Sequence, residues 1–599
     1  MKSFFKYVLA TVFGIFLTVG IFIAFTVVSL IGMIASADSG ETVVKDNSVL
    51  VLNLTGEITE KGAEENPFAG LMGDIAESNG LNDILAAIDK AKDNDKIKGI
   101  YIETGSLSAD YATLQEIRQK LQQFKAAKKW VISYGENFSQ QAYYLASVAD
   151  KVYMNPYGHL DIHGIASQPE YYKDLLAKVG VRMEIVKVGT YKSATETFSE
   201  EHMSDANREQ ITKYITGLWD AVLNDVSKSR GINKDALNAI ADGVVFMEQP
   251  TALKQKKLVD ELLYADQVKA AVKKRLGIDN DDEINQLTAL DMKSVEGKGI
   301  YSNDGEEIAI YYCQGNIVQD NTTGMLSGTE ANIVGTDVCK DMEALMKNDD
   351  VKAVVIRINS GGGDAYASEQ MWHYISELKK VKPVVVSMGG VTASGGYYMA
   401  CNASYIYADP TTITGSIGIF GMFPDFSGLL TQKLGIHFDE VKTNKNSTFS
   451  PIGLARPVTA EEREYMQQWI NNGYALFCKR VADGRKMKVE DVDKIAQGRV
   501  WLAPDALQCK LVDKLGSLDD AIKKAAELAK LKEYHTADYP LPADWTEQFL
   551  AEAKGDTGTA LDEQLRTVLG AYYEPFFLVR TIKEQSPIQA RVPYIINIK

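Results

Sequence analysis

The chain repeats itself. IKGIYIE at 97–103 matches VKAVVIR at 351–357, and WVISYGENFSQQAYYLA at 130–146 matches VVVSMGGVTASGGYYMA at 384–400, both at an offset of 254 residues (351 − 97). The register barely drifts further along: LAKVGVRMEIVKV (176–188) answers to LTQKLGIHFDEVKT (430–443), GVVFMEQPTALKQKKLVDEL (243–262) to GRVWLAPDALQCKLVDKL (498–515), and SVLVLNLTGEI (48–58) to EEIAIYYCQGNI (306–317). Internal similarity of this kind decides the fold before any local signal does, because one copy must fold as the other does. In each copy short apolar runs alternate with helical stretches such as 110–126 and 365–380, the pattern of strand-helix-strand units around a largely parallel sheet. The expected class is therefore α/β. One repeat is expected over 45–295 and a second over 300–535, each with a long amphipathic helix, at 205–230 and 459–485. Polar residues 275–305 join the copies, and 536–599 has no counterpart and is expected to add a helix and a strand.

Ahead of the first copy, Lys2 and Lys6 precede an uncharged run from Tyr7 to Ala37 that ends at Asp38. A run of this length can span a bilayer, and it is about twice the apolar core of a secretory signal peptide, usually 7 to 15 residues. Residues 1–40 are thus expected to be a cytoplasmic N-terminus and a transmembrane anchor, although Ala35-Ser36-Ala37 leaves cleavage open. Lysines before the span and acidic residues after it place the N-terminus in the cytoplasm and the body outside the cytoplasmic membrane. No second apolar run of 18 residues follows. A net charge of −16 argues against a nucleic-acid surface. Five cysteines, odd in number and without CxxC spacing, imply neither a disulfide framework nor a zinc site, and are expected to be buried thiols.

Chemistry concentrates where the copies differ. The β-branched run Val384–Val386 reads as a buried strand, broken by Gly389 and Gly390, with a small-residue helix beyond. Ser394 sits at that corner between Ala393 and Gly395-Gly396, unshielded, with the amides of the next turn nearby. By itself such a turn is equally a plain corner between strand and helix. Ser394 stands opposite Gln140 in the first copy, whereas Lys192 in the first copy stands opposite Ser447 in the second. Each copy keeps one member of a possible nucleophile–base pair. None of the six histidines lies in an evident triad with an acid, so a lysine is the candidate base. Lys192, in Gly189-Thr190-Tyr191-Lys192-Ser193-Ala194, would need a dry site to lose its proton near neutral pH. Ile358-Asn359-Ser360-Gly361-Gly362-Gly363-Asp364 follows another strand. Amides of Gly362, Gly363 and Gly395 converging on one point would form an oxyanion hole worth about 3–4 kcal/mol per donor. The glycines lack nucleotide-loop spacing, and no metal or other cofactor is implied.

These motifs, with Val391-Thr392-Ala393-Ser394-Gly395-Gly396-Tyr397-Tyr398 and Thr414-Gly415-Ser416-Ile417-Gly418-Ile419-Phe420-Gly421, resemble the signal peptide peptidase A (protease IV) family in its long two-repeat form, within the wider Clp-peptidase and crotonase-like superfamily. The resemblance covers the anchor and both copies. It implies a Clp/crotonase-like βαβ domain in tandem and a membrane-anchored serine endopeptidase with a Ser-Lys dyad that degrades cleaved signal peptides and other apolar peptides. It also implies Ser394 as nucleophile, Lys192 as general base, a substrate cleft lined by Gly415, Ser416, Ile417, Gly418, Ile419 and Phe420, and a ring-like homo-oligomer, a tetramer. Two positions depart from the family's Asn-Ser-Pro-Gly-Gly-Ser: Gly361 replaces the proline and Asp364 the last serine. Two rival readings are a crotonase-type acyl-thioester enzyme, with Asp364 as its base, and an inactive scaffold binding apolar segments.

Overall fold

The computed structural model describes residues 14, 18, 42–62, 79–302, 304–320, 332–541 and 588–592. Most of the expected anchor at 7–37, and the helix expected within 536–599, lie outside the described residues. Among those that are described, no helix is long and apolar enough to cross a membrane.

Each repeat builds its own sheet. In the first, strands run in the spatial order 261–262, 151–154, 130–135, 97–108, 48–57, 286–287, all parallel. In the second, the order is 500–502, 413–415, 384–393, 351–360, 306–314, 534–539, parallel except at 413–415 with 500–502. Parallel strands are buried on both faces, which is why Val384, Val385 and Val386 show no exposure and why the strands read as continuous apolar runs. The helices fall in matching places, Tyr111–Ala126 with Ala365–Val381 and Asp205–Arg230 with Ala460–Arg485. Strand Tyr534–Tyr539 pairs with Glu306–Gln314 as Gln286–Leu287 pairs with Ser48–Glu57. It therefore belongs to the second sheet although its sequence shows no match in the first copy.

The expected break at Gly389 and Gly390 does not occur: one strand runs from Val384 to Ala393. These glycines are instead where the first repeat presses on the second, since a Cβ at Gly389 would meet the Glu60 carboxylate and one at Gly390 the Asp110 carboxylate. Beside them lies a buried ionic seam. Arg357, with none of its surface exposed, reaches Glu60 at 2.8 Å and Glu116 at 2.7 Å, both from the first repeat. Asn359 donates to Glu60 and to Asp110, each at 2.9 Å. Buried charges persist only when paired, so this seam holds the two repeats in one relative position.

A third sheet draws on both copies, in the order 332–334, 316–318, 362–364, 588–591, 420–425, 182–187. Strand Arg182–Lys187 of the first repeat pairs antiparallel along the whole of Phe420–Asp425 of the second. That pairing carries the turn that follows it, with Lys192, into the second repeat.

Candidate active site

Ser394 closes the strand Val384–Ala393 and opens the helix Gly395–Ala400, at φ 53 and ψ −111. A side chain at positive φ outside glycine is strained, typically by about 1–3 kcal/mol, and persists where neighbours hold it. Here the Ser394 amide donates to the Gly415 carbonyl and its carbonyl accepts from the Tyr398 amide, both at 2.8 Å. The hydroxyl projects from the corner as at a nucleophile elbow.

The first repeat delivers Lys192 to that hydroxyl. The turn 189–194 is tied down from several sides: the Tyr191 amide donates to the Gln497 carbonyl at 2.9 Å, and Gln210 donates to the Tyr191 carbonyl at 3.1 Å and to Ser193 Oγ at 3.0 Å. Arg499 lies over the rings of Tyr191 and Trp501, at 4.5 and 4.7 Å, and pairs with Glu209 at 2.6 Å. Lys192 Nζ ends 2.8 Å from Ser394 Oγ, 3.0 Å from Ser416 Oγ and 3.1 Å from the Ser416 carbonyl oxygen. Lys192, Ser394 and Ser416 all have no exposed surface. Burial drives the lysine well below its usual range, with no opposing charge contributing. A neutral amine has two N–H donors and one lone pair. Because Ser416 Oγ donates onward to the Gly498 carbonyl at 3.2 Å, it is left to accept from the amine. The two N–H groups then serve Ser416, and the lone pair faces the Ser394 hydroxyl.

The three glycines named from sequence are neighbours, but their amides differ. Gly362 N–H donates to Ser360 Oγ at 3.1 Å and is thereby occupied. Gly363 pairs with Ala590 of the last described strand. Gly362 adopts φ +99, and a Cβ there would stand 2.7 Å from Gly395 N and overlap the Ala590 carbonyl oxygen. Only glycine leaves that space open. Gly362, Gly363 and Gly395 thus all lie against Ala590 of the strand at 588–591.

The segment expected to line the cleft divides into parts with separate contacts. Gly415 ends a strand and accepts from Ser394 N. Ser416 holds the Lys192 amine, a role for which the sequence offered no separate signal. The Ile417 carbonyl accepts from Gly498 N at 2.8 Å, and the Ile419 carbonyl from Val188 N at 3.2 Å. A Cβ on Gly418 would stand 3.3 Å from Lys192 Cδ, so this glycine lets the lysine stem pass. Of the six, Phe420 faces the strand at 588–591, pairing with Gln589, and Gly421, not singled out from sequence, pairs with Ile588. Asp364 is a helix cap, accepting from Ala367 N at 2.7 Å, which removes the carboxylate that an acyl-thioester reading requires. The opposite slots are inert: Gln140 bonds Tyr111 and the 163–164 backbone, and Ser447 lies on an exposed loop.

The model of "Peptidase family S49" matches twice, at 123–279 and 376–532, starts 253 residues apart (376 − 123). The chain is 37% identical over 537 residues to Protease 4 of Salmonella typhi, covering 87% of this chain and 85% of that one. It is 33% identical over 575 residues to Protease 4 of Haemophilus influenzae, covering 92% and 91%. Similarity extends to the chloroplastic serine protease SPPA of Arabidopsis thaliana, at 30% over 494 residues, covering 82% and 70%. With both repeats matched and relatives aligned along most of its length, this chain belongs to peptidase family S49.

Proposed function

We propose that this member of peptidase family S49, a serine protease, uses Ser394 as nucleophile and Lys192 as general base in hydrolysing apolar peptides, cleaved signal peptides among them. The observation that carries the assignment is the 2.8 Å approach of Lys192 Nζ to Ser394 Oγ in a site where neither residue has exposed surface. Ser394 Oγ attacks the peptide carbonyl while its proton passes to Lys192, and Gly363 and Gly395 amides hold the oxyanion. Lys192 returns the proton to the departing amine, and water then repeats the sequence on the acyl-enzyme. Dryness is what makes the lysine competent as a base, since it keeps the amine unprotonated and ready to accept.

In this reading the repeat at 45–295 supplies the base and the repeat at 300–535 the nucleophile, so neither is active alone. The uncharged run at 7–37, flanked by Lys2 and Lys6, supports a single membrane span with a cytoplasmic N-terminus and the body outside the cytoplasmic membrane. A ring of four chains would enclose the sites. The test is hydrolysis of an apolar peptide across pH 6 to 10 by wild type, Ser394→Ala and Lys192→Met. Full activity in either variant defeats the assignment.

A further inference from the structure

Gln210 lies in the helix Asp205–Arg230 of the first repeat with 2% of its surface exposed, and its carboxamide touches both repeats at once. Nε2 stands 3.1 Å from the Tyr191 carbonyl oxygen, 3.0 Å from Ser193 Oγ and 3.2 Å from Asn207 Oδ1, so it holds the residues on either side of Lys192. Oε1 accepts from Val500 N of the second repeat at 3.1 Å. The orientation of the carboxamide is set from behind, because Asn207 donates through Nδ2 to Glu196 at 2.9 Å and offers Gln210 its oxygen. Val500 leads to the other half of the site. It pairs with Gly415, whose carbonyl accepts from Ser394 N, and the carbonyl of the preceding residue, Arg499, accepts from Ser416 N. Ser416 Oγ in turn accepts from Lys192 Nζ. One side chain thus ties the turn that carries the amine to the strands that hold the hydroxyl and the amine's second partner, through hydrogen bonds that go to neither Lys192 Nζ nor Ser394 Oγ.

The duplication sets Gln210 apart as it does Lys192. Helices Asp205–Arg230 and Ala460–Arg485 start 255 residues apart (460 − 205), the spacing of Lys192 and Ser447 (447 − 192), which places Tyr465 opposite Gln210. Tyr465 is 46% exposed and donates to Glu461 on its own helix. Where the second copy carries no lysine, it carries no buried carboxamide either. We propose that Gln210 is a positioning residue of the peptidase reaction, holding the Lys192 turn against strand 500–502 so that the amine stays dry and within reach of the Ser394 hydroxyl. The inference rests on the Ser394–Lys192 assignment. An apolar side chain of the same length would fill the space but leave the Tyr191 carbonyl and the Val500 amide unpaired, and the turn would move off the strand to satisfy them with water. A misplacement of about 1 Å at a reacting group can cost about 10²-fold in rate. Water admitted behind the turn would also solvate the charged amine and return its titration toward the ordinary lysine range.

The test is hydrolysis of an apolar peptide by the full chain carrying Gln210→Met, over the same pH range as wild type and Lys192→Met. The variant should lose about 10- to 100-fold in kcat with KM little changed, and its rise in kcat/KM should be displaced to higher pH. A merely structural role would reduce the folded fraction and scale activity down with the pH profile unmoved, and that result overturns the proposal. So does a wild-type kcat. Should Gln210→Met not fold, Gln210→Asn, which keeps the amide but falls short of the turn, is read by the same criteria. If Lys192→Met loses activity while the Gln210 variant keeps the wild-type kcat and profile, Ser394 and Lys192 retain their roles and this inference alone fails. If Lys192→Met is fully active, the assignment fails and the inference goes with it.

Discussion

The guanidinium of Arg357 meets the carboxylate of Glu60 at 2.8 Å across the seam between the repeats, the two residues standing 297 apart in sequence. The same side chain takes Glu116 at 2.7 Å and faces Asp409 at 3.7 Å, so one cation serves three buried acids. Arg357→Met would strand those acids, and losing one partner of a buried ion pair typically costs about 3–5 kcal/mol. Urea denaturation should show a loss of that size, with peptidase activity falling in step because the seam sets where Lys192 meets Ser394.

The pH dependence of that defect follows from Asp409, whose carboxyl is already raised well above the usual range, first by burial and then by Glu116. A carboxyl raised in the folded state binds more protons there than in the unfolded chain, so stability falls as pH rises through the interval between the two values. The deficit of Arg357→Met should therefore shrink as pH is lowered from neutral toward the unfolded carboxylate range near pH 4. A deficit unchanged across that interval would show that lost packing, not stranded charge, is the cause.

Activity should follow the protonation of Lys192. With the amine held well below the ordinary lysine range by burial, kcat/KM should rise with pH and level off before the pH of about 10.4 at which a free lysine titrates. Lys192→Met should lower kcat by about 10²–10⁴, the usual worth of a general base, and abolish that rise.

Stability should report the same group, with Lys192→Met acting in the opposite direction. Folding forces Lys192 to give up a proton that the unfolded chain keeps, so between the lowered folded value and the unfolded one stability rises with pH. Lys192→Met removes this cost, and should be more resistant to urea than wild type at neutral pH, with the gap closing toward about pH 10.4. A gap that is constant with pH would contradict a buried, deprotonating amine.

Ser416 accepts from the amine through Oγ at 3.0 Å and through its carbonyl at 3.1 Å. In Ser416→Ala the carbonyl contact stays and the hydroxyl contact goes. We expect kcat to drop about tenfold, roughly one hydrogen bond to a charged group, with KM little changed. Because that oxygen favours the protonated amine more than the neutral one, the rise in activity should also move to lower pH. An unmoved pH profile would mean that Ser416 does not act through Lys192.

Much of this was legible in the chain. The 254-residue offset places strands and helices in both copies, and the helices at Tyr111–Ala126 and Ala365–Val381 fall where periodicity puts them. The unequal slots at Lys192 and Ser394 single out two residues that the fold then brings to 2.8 Å. What sequence hid is what depends on approach from elsewhere in the chain. Gly389 and Gly390 look like a strand break because nothing local reveals that Glu60 and Asp110 need the space. Ser416 looks like one more residue of a cleft strand, and only the arrival of the Lys192 turn from the first repeat makes it a partner of the amine. The strand at 588–591 has no counterpart in the duplication, and its partners lie more than 160 residues back (588 − 425), beyond any periodic signal.

Gln140 fills with a side-chain amide the slot that Ser394 fills with a hydroxyl, and Ser447 donates to the Asn444 carbonyl on an exposed loop where its counterpart is a buried amine. On the Ser394–Lys192 assignment the duplication therefore does not double the chemistry. A reagent that acylates the serine should count a single equivalent per polypeptide, and the first domain is free to change its equivalent corner without cost to turnover so long as it keeps aiming one amine.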